Sequence, residues 1–130
     1  MKKKLALAAA VIHGPRILFL DEPFEGVDAI AAGTLKTMLH NMTARGATIF
    51  LTSHVLEIVE RLCSHVAIIN KGRIIAQGSL DELRAGVAAA HVNGGAAAPA
   101  RKLTLEEIFL AVVGQEGAAR KSEDELSWLT

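Results

Sequence analysis

A single cysteine, Cys63, leaves no partner for an internal disulfide, so a reducing compartment is the simpler setting for this chain of 130 residues. An excess of one charge is missing too. Lys and Arg together number 14, as do Asp and Glu, and no global field favours nucleic acid or an acidic lipid surface. No apolar run approaches the roughly 18 to 20 residues that a membrane-spanning helix requires. Internal repeats are absent, which leaves one modest domain's worth of chain. What the chain does have is hydrophobic residues, 51% of the total and many of them alanine, a composition that suits a helix-rich α/β protein.

The start of the chain has two readings. Met1-Lys2-Lys3-Lys4 followed by the apolar stretch 5–12 has the basic-then-apolar form of a secretory signal peptide, with small residues at Ala8 to Ala10. Leu5, Ala8, Ala9 and Ile12 also recur at helical spacing, as the buried stripe of an amphipathic helix does. Cleavage near residue 10 would leave a mature chain opening almost directly on a buried strand, which favours the helix. Lys2, Lys3 and Lys4 then read as a solvated helix face rather than as phosphate or lipid contacts.

A helix over 3–13 ends at Gly14-Pro15, and a strand follows over 16–20. A second helix, 30–44, is closed by Gly46, and Ala47 to Thr52 is again short, apolar and rich in β-formers. Strand, helix and strand at this spacing make a βαβ unit. Beyond a short helix over 56–63, strands 65–70 and 73–77 are joined at Asn70-Lys71-Gly72. Ser79 with Glu82 three positions on is a capping box that opens a helix to about residue 85. Residues 86–100 are Ala/Gly-rich and read as a flexible linker. An amphipathic helix over 103–113 is capped by Thr104, and 115–130 is polar, expected to be disordered apart from a weak anchor at Trp128.

The chemistry concentrates at the ends of the first two strands. Ile17-Leu18-Phe19-Leu20 runs directly into Asp21-Glu22-Pro23, and an uninterrupted apolar run reads as a parallel strand buried on both faces. Its carboxyl end is where open α/β sheets bind their ligands. Adjacent residues point in opposite directions, so Asp21 could hold Mg²⁺ beside a nucleotide while Glu22 acts on a water. The bland alternative is a polar exit from the strand. Ser53-His54 repeats the pattern after the second strand, and two neighbouring strand ends would bring His54 close to Glu22. His54 could contact a terminal phosphate or could cap the next helix. Asp28, in Glu25-Gly26-Val27-Asp28, could face a docked partner, cap the following helix, or do both. His13, His40, His65 and His91 have no metal-ligand spacing.

Taken in this order, these motifs resemble those of the ATP-binding-cassette (ABC) ATPase family. Ile17 to Pro23 resembles its Walker B strand with the catalytic glutamate, Glu25 to Asp28 its D-loop, and Ser53-His54 its switch histidine. Val66 to Leu83 is very similar to the hairpin and helix that follow that histidine, and 103–114 resembles a short terminal helix that many members carry. The resemblance covers residues 1 to about 86. It implies a partial P-loop NTPase fold of α/β class, with parallel strands, flanking helices and a carboxyl-terminal hairpin. It also implies Asp21 on Mg²⁺, Glu22 on the attacking water, His54 on the γ-phosphate of ATP, and Gly26, Val27 and Asp28 at a dimer interface. The implied partners are a second nucleotide-binding domain and a transmembrane permease, which would hold the chain on the cytoplasmic face of the membrane; no nucleic acid is expected.

Parts of the family pattern are missing from the 130 residues. There is no glycine-rich Walker A loop, whose amides and lysine cradle the phosphates, no glutamine loop and no LSGGQ signature. The resemblance therefore implies the carboxyl-terminal portion of a nucleotide-binding domain over 1–86, beginning where the signature ends. A linker over 87–102, a helix over 103–114 and a disordered tail over 115–130 follow. Such a portion is expected to be inactive alone. The alternatives are a non-catalytic half-domain that completes another subunit, and a fragment of a DNA-repair-type ATPase.

Overall fold

The computed structural model describes residues 2–93 and 101–127, with side chains described for 2–90 and 101–118. The chain divides into two compact units, Met1–Ile58 and Val59–Thr130.

The first unit holds α1 (Lys2–Val11), β1 (Ile17–Asp21), α2 (Ala29–Ala44) and β2 (Thr48–Thr52). Alanine and lysine favour helix in α1, and Gly14 at φ 63° turns the chain out of it. Its half-buried face carries Leu7, Ala10 and Val11 rather than the expected stripe; Leu5 is 73% and Ile12 85% exposed.

β1 and β2 pair in parallel, from Ile17 opposite Thr48 to Asp21 opposite Thr52, with α2 as the crossover. The buried side chains of this unit include Leu18, Phe24, Leu35 and Leu39. The expectation that β1 is buried on both faces needs correction. Leu18 is 5% exposed, but Ile17 and Phe19 on the other face are 61% and 73% exposed, and Phe50 is 58% exposed. A single βαβ unit lays its helix on one face of its sheet, and within this unit nothing closes the other. Phe19 and Phe50 pack on each other there, with ring centroids 5.7 Å apart.

Helix α3 (Leu56–Leu62) precedes a hairpin of β3 (His65–Asn70) and β4 (Arg73–Ser79), which pair antiparallel with a bulge at Ile68/Ile69. Lys71 and Gly72 both have positive φ, 49° and 76°, the signature of the two-residue turn that matches strand twist. The helices α4 (Leu80–Asn93) and α5 (Leu105–Ser127) follow. Ile68, Leu83, Val87 and Ile108 form the core of this unit, lined by Val66, Ile75, Leu103, Phe109 and Val112. Burying each of these large side chains contributes about 1.5–3 kcal/mol.

Both helices begin with a reciprocal cap. Glu82 N–H donates to Ser79 Oγ at 3.2 Å while Ser79 N–H donates to Glu82 Oε2 at 2.8 Å. Thr104 and Glu107 repeat the exchange at 3.3 and 2.8 Å. Both helices also outrun their sequence expectations. α4 continues through Asn93, where composition suggests a linker from 87, because alanine is the best helix former and Val87 is anchored in the core. α5 runs through Ser127 instead of stopping near 114; Asn70 Nδ2 donates to Glu116 Oε2 at 2.8 Å and ties the extension to the hairpin. Residues 94–100 of the expected linker, and the Trp128 anchor, lie outside the described residues. No helix among those described is long and apolar enough to cross a membrane.

Candidate functional site

Parallel pairing in register stops both strands of the first unit at the same level, with Asp21 opposite Thr52. The Thr52 hydroxyl serves both acids. It donates to Asp21 Oδ1 and accepts from the Glu22 N–H at 3.1 Å. The same N–H also reaches the Thr52 carbonyl, at 3.1 Å. Glu22 itself sits at φ 46°, in the left-handed region, a conformation that costs a non-glycine residue about 1–2 kcal/mol.

The carboxylate of Glu22 meets the ring of His54, Oε1 to Nδ1 at 2.9 Å. The expected meeting of the two strand ends is therefore present. Neither group is buried, with side-chain exposure of 69% for His54 and 28% for Glu22. The hydrogen bond that the His54 ring donates to Glu22, reinforced by the negative charge of Glu22 and that of Glu25, raises His54 above its ordinary pKa. Capping of the next turn falls to Ser53 instead, whose Oγ accepts from the Val55 N–H at 3.0 Å.

Asp28 is the N-cap of α2. Its Oδ1 accepts from the Ala31 N–H at 2.9 Å, and that bond holds its carboxyl below the usual carboxylate range. It makes no hydrogen bond or ion pair with Asp21, Glu22 or His54. Gly26, at φ 67°, makes the turn that leads to it through Val27.

Two participants are absent from the motif reading. Thr52 was within reach of it, since strands ending together must place some residue opposite Asp21. Lys3 was not: its Nζ donates to the carbonyls of Glu22 and, at 2.9 Å, Glu25, so one lysine of the expected solvated face is tied to the acidic loop.

No cluster of three or more His, Cys, Asp or Glu suited to a metal ion occurs among the described residues. Asp21 nevertheless offers hard oxygen donors, and Mg²⁺ commonly takes one or two carboxylates and completes its shell with water and phosphate oxygens. The donor set fits Mg²⁺ arriving with a nucleotide, not a metal caged by protein alone.

No protein-family model matches the chain. It is 37% identical over 94 residues to an uncharacterised ABC transporter ATP-binding protein of Nostoc sp., covering 72% of this chain and 28% of that protein. It is 41% identical over 98 residues to the Nod factor export ATP-binding protein I of Rhizobium leguminosarum bv. viciae, covering 73% of this chain and 32% of the relative. A solved ATP-binding subunit of an ABC transporter superposes with TM-score 0.62 at 30% identity, over 77% of this chain and 37% of the other. The chain thus spans about a third of the length of the curated relatives it matches. By sequence its homologues are the ATP-binding proteins of ABC transporters, and its fold is that of part of their ATPase domain.

Proposed function

We propose that residues 1–58 supply the metal- and water-handling half of an ATP hydrolysis site that is coupled to transport. The observation that carries this reading is the Glu22–His54 contact at 2.9 Å, across the ends of two parallel strands and beside Asp21.

Asp21 would hold Mg²⁺, which when bound neutralises phosphate charge. The Thr52 hydroxyl keeps the Asp21 carboxylate in place. Glu22 orients a water and accepts its proton, a role worth roughly 10²–10⁴ in rate where general bases have been measured. His54 uses Nδ1 toward Glu22, which leaves Nε2 for a terminal phosphate oxygen. Its raised pKa favours the doubly protonated ring, in which both nitrogens donate. Gly26, Val27 and Asp28 form the loop offered to a second nucleotide-binding domain, and a permease subunit holds the assembly on the cytoplasmic face of the membrane. The export named for the Rhizobium relative supports a transporter over a DNA-handling ATPase.

The 130 residues contain no glycine-rich phosphate loop. Its amides and lysine are what neutralise a triphosphate in such sites. The uncovered apolar face supports a role for further polypeptide here. By strand alternation Asp21 shares a face with Ile17 and Phe19, so a layer packed on those side chains ends beside the acid. We expect no phosphate release above buffer when this chain alone meets ATP and Mg²⁺. Release that Glu22→Gln abolishes in this same chain would refute the half-site reading.

A further inference from the structure

We infer that Lys3 is a positioning residue that holds the Glu22 turn in its left-handed conformation and so keeps the Glu22 carboxylate on His54. The inference rests on the proposed role of Glu22 for its meaning, and on geometry for its substance.

The Glu22 carbonyl accepts from two directions. One donor is the Glu25 N–H at 3.2 Å, which closes the turn, and the other is Lys3 Nζ. The same ammonium reaches the Glu25 carbonyl at 2.9 Å, so a single charged group bridges both ends of residues 22–25. On the opposite side, the Glu22 N–H is held by Thr52. A non-glycine residue at φ 46° persists only where its surroundings over-determine it. Its N–H side is fixed by the sheet, whereas its carbonyl side depends on one turn bond and on Lys3. Release of Lys3 lets the peptide after Glu22 rotate toward negative φ, which carries the side chain away from the ring. An ammonium has three donors, and two are engaged here. The tie also links elements far apart in sequence, α1 and the acidic loop.

The test reads the nitrogen and proton resonances of the His54 ring by NMR in the full chain. Glu22→Gln, which keeps the side chain's shape but removes its charge, defines where they lie when the ion pair is lost. In Lys3→Met they should move most of the way to that position, with Tm changed by less than about 3 °C, since Lys3 is exposed and covers no core. In Lys3→Arg, which can still donate to both carbonyls, they should stay near the unaltered positions. Unaltered resonances in Lys3→Met, with a clear change in Glu22→Gln, sink the role of Lys3 and leave the site reading intact. The same holds if Lys3→Arg departs as far as Lys3→Met. A Glu22→Gln chain indistinguishable from the unaltered one removes the Glu22–His54 pair, and both ideas fail together. If Lys3→Met does not fold, the unaltered chain answers directly. A slowly exchanging Lys3 ammonium with coupling to the Glu22 carbonyl supports the tie, and a freely exchanging one overturns it.

Discussion

The two units differ in which apolar residues they leave open: the first exposes the paired rings of Phe19 and Phe50, the second only aliphatic side chains among the described residues. In the second, a hairpin and two helices close over Ile68, Leu83, Val87, Leu105 and Ile108, and both helix starts are sealed by reciprocal caps. Arg84 adds a polar clasp there, bonding Glu60, Asp81 and the Leu103 carbonyl. In the first, the most apolar strand leaves Ile17 and Phe19 outside with Phe50, and its polar groups gather at one sheet end. A unit that closes most of its large apolar side chains on one core and satisfies its helix ends is built for stability, although Ile69, Ile74 and Leu110 stay outside. One that leaves aromatics open beside a set of acids is built to receive something. Large exposed apolar patches on soluble proteins usually mark such contact surfaces.

The contrast can be broken most directly by paired substitutions. Ile108 is fully buried, so Ile108→Ala should cost about 3 kcal/mol in urea unfolding, from lost transfer energy and the cavity left behind. Phe19→Thr removes an exposed ring and an aromatic pair worth about 0.5–1.5 kcal/mol, and threonine suits a strand, so its cost should stay near the low end of that range. Equal losses from the two changes would remove the distinction between the units.

Ser79→Ala tests the sealed helix starts and should cost about 1 kcal/mol, with loss of the Glu82 N–H contact. A neutral result would mean that the capping box adds nothing to the second unit.

The smallest effect is expected at the open site. The folded pKa of His54 lies above its unfolded value, so its pairing favours folding at pH below the ordinary histidine range. That contribution is lost as pH rises through the raised folded pKa. Both groups are open to solvent, which keeps the effect small. Glu22→Gln should lower the His54 titration midpoint seen by NMR toward about 6.5. An unmoved midpoint would show that Glu22 is not the partner.

Much of this site was legible in the residues because a βαβ unit is a local device. Once Ile17 to Leu20 and Ala47 to Thr52 are read as its two strands, parallel pairing brings the ends of both together, and with them Glu22 and His54. The hairpin turn at Lys71-Gly72, the Ser79–Glu82 capping box and the Thr104 cap were legible for the same reason, since each needs only neighbours in sequence. Contacts between distant elements were not. The bond from Lys3 to the acidic loop depends on where α1 packs, and its apolar stripe pointed to the wrong face. Exposure of Phe19 was hidden as well, because a continuous apolar run has no alternation to show which face is covered. The lengths of α4 and α5 were underestimated where alanine and charged residues carry helix propensity without an apolar period.

The central claim is that Asp21, Glu22 and His54 are one half of an ATP site whose other half lies in a phosphate loop. Its most direct test is phosphate release from ATP and Mg²⁺ by this chain mixed with a polypeptide that carries the phosphate loop and signature of a relative. The half-site account requires release from the mixture but from neither component alone, and its loss when Glu22→Gln is introduced into this chain. Release from the mixture that persists with Glu22→Gln would contradict it.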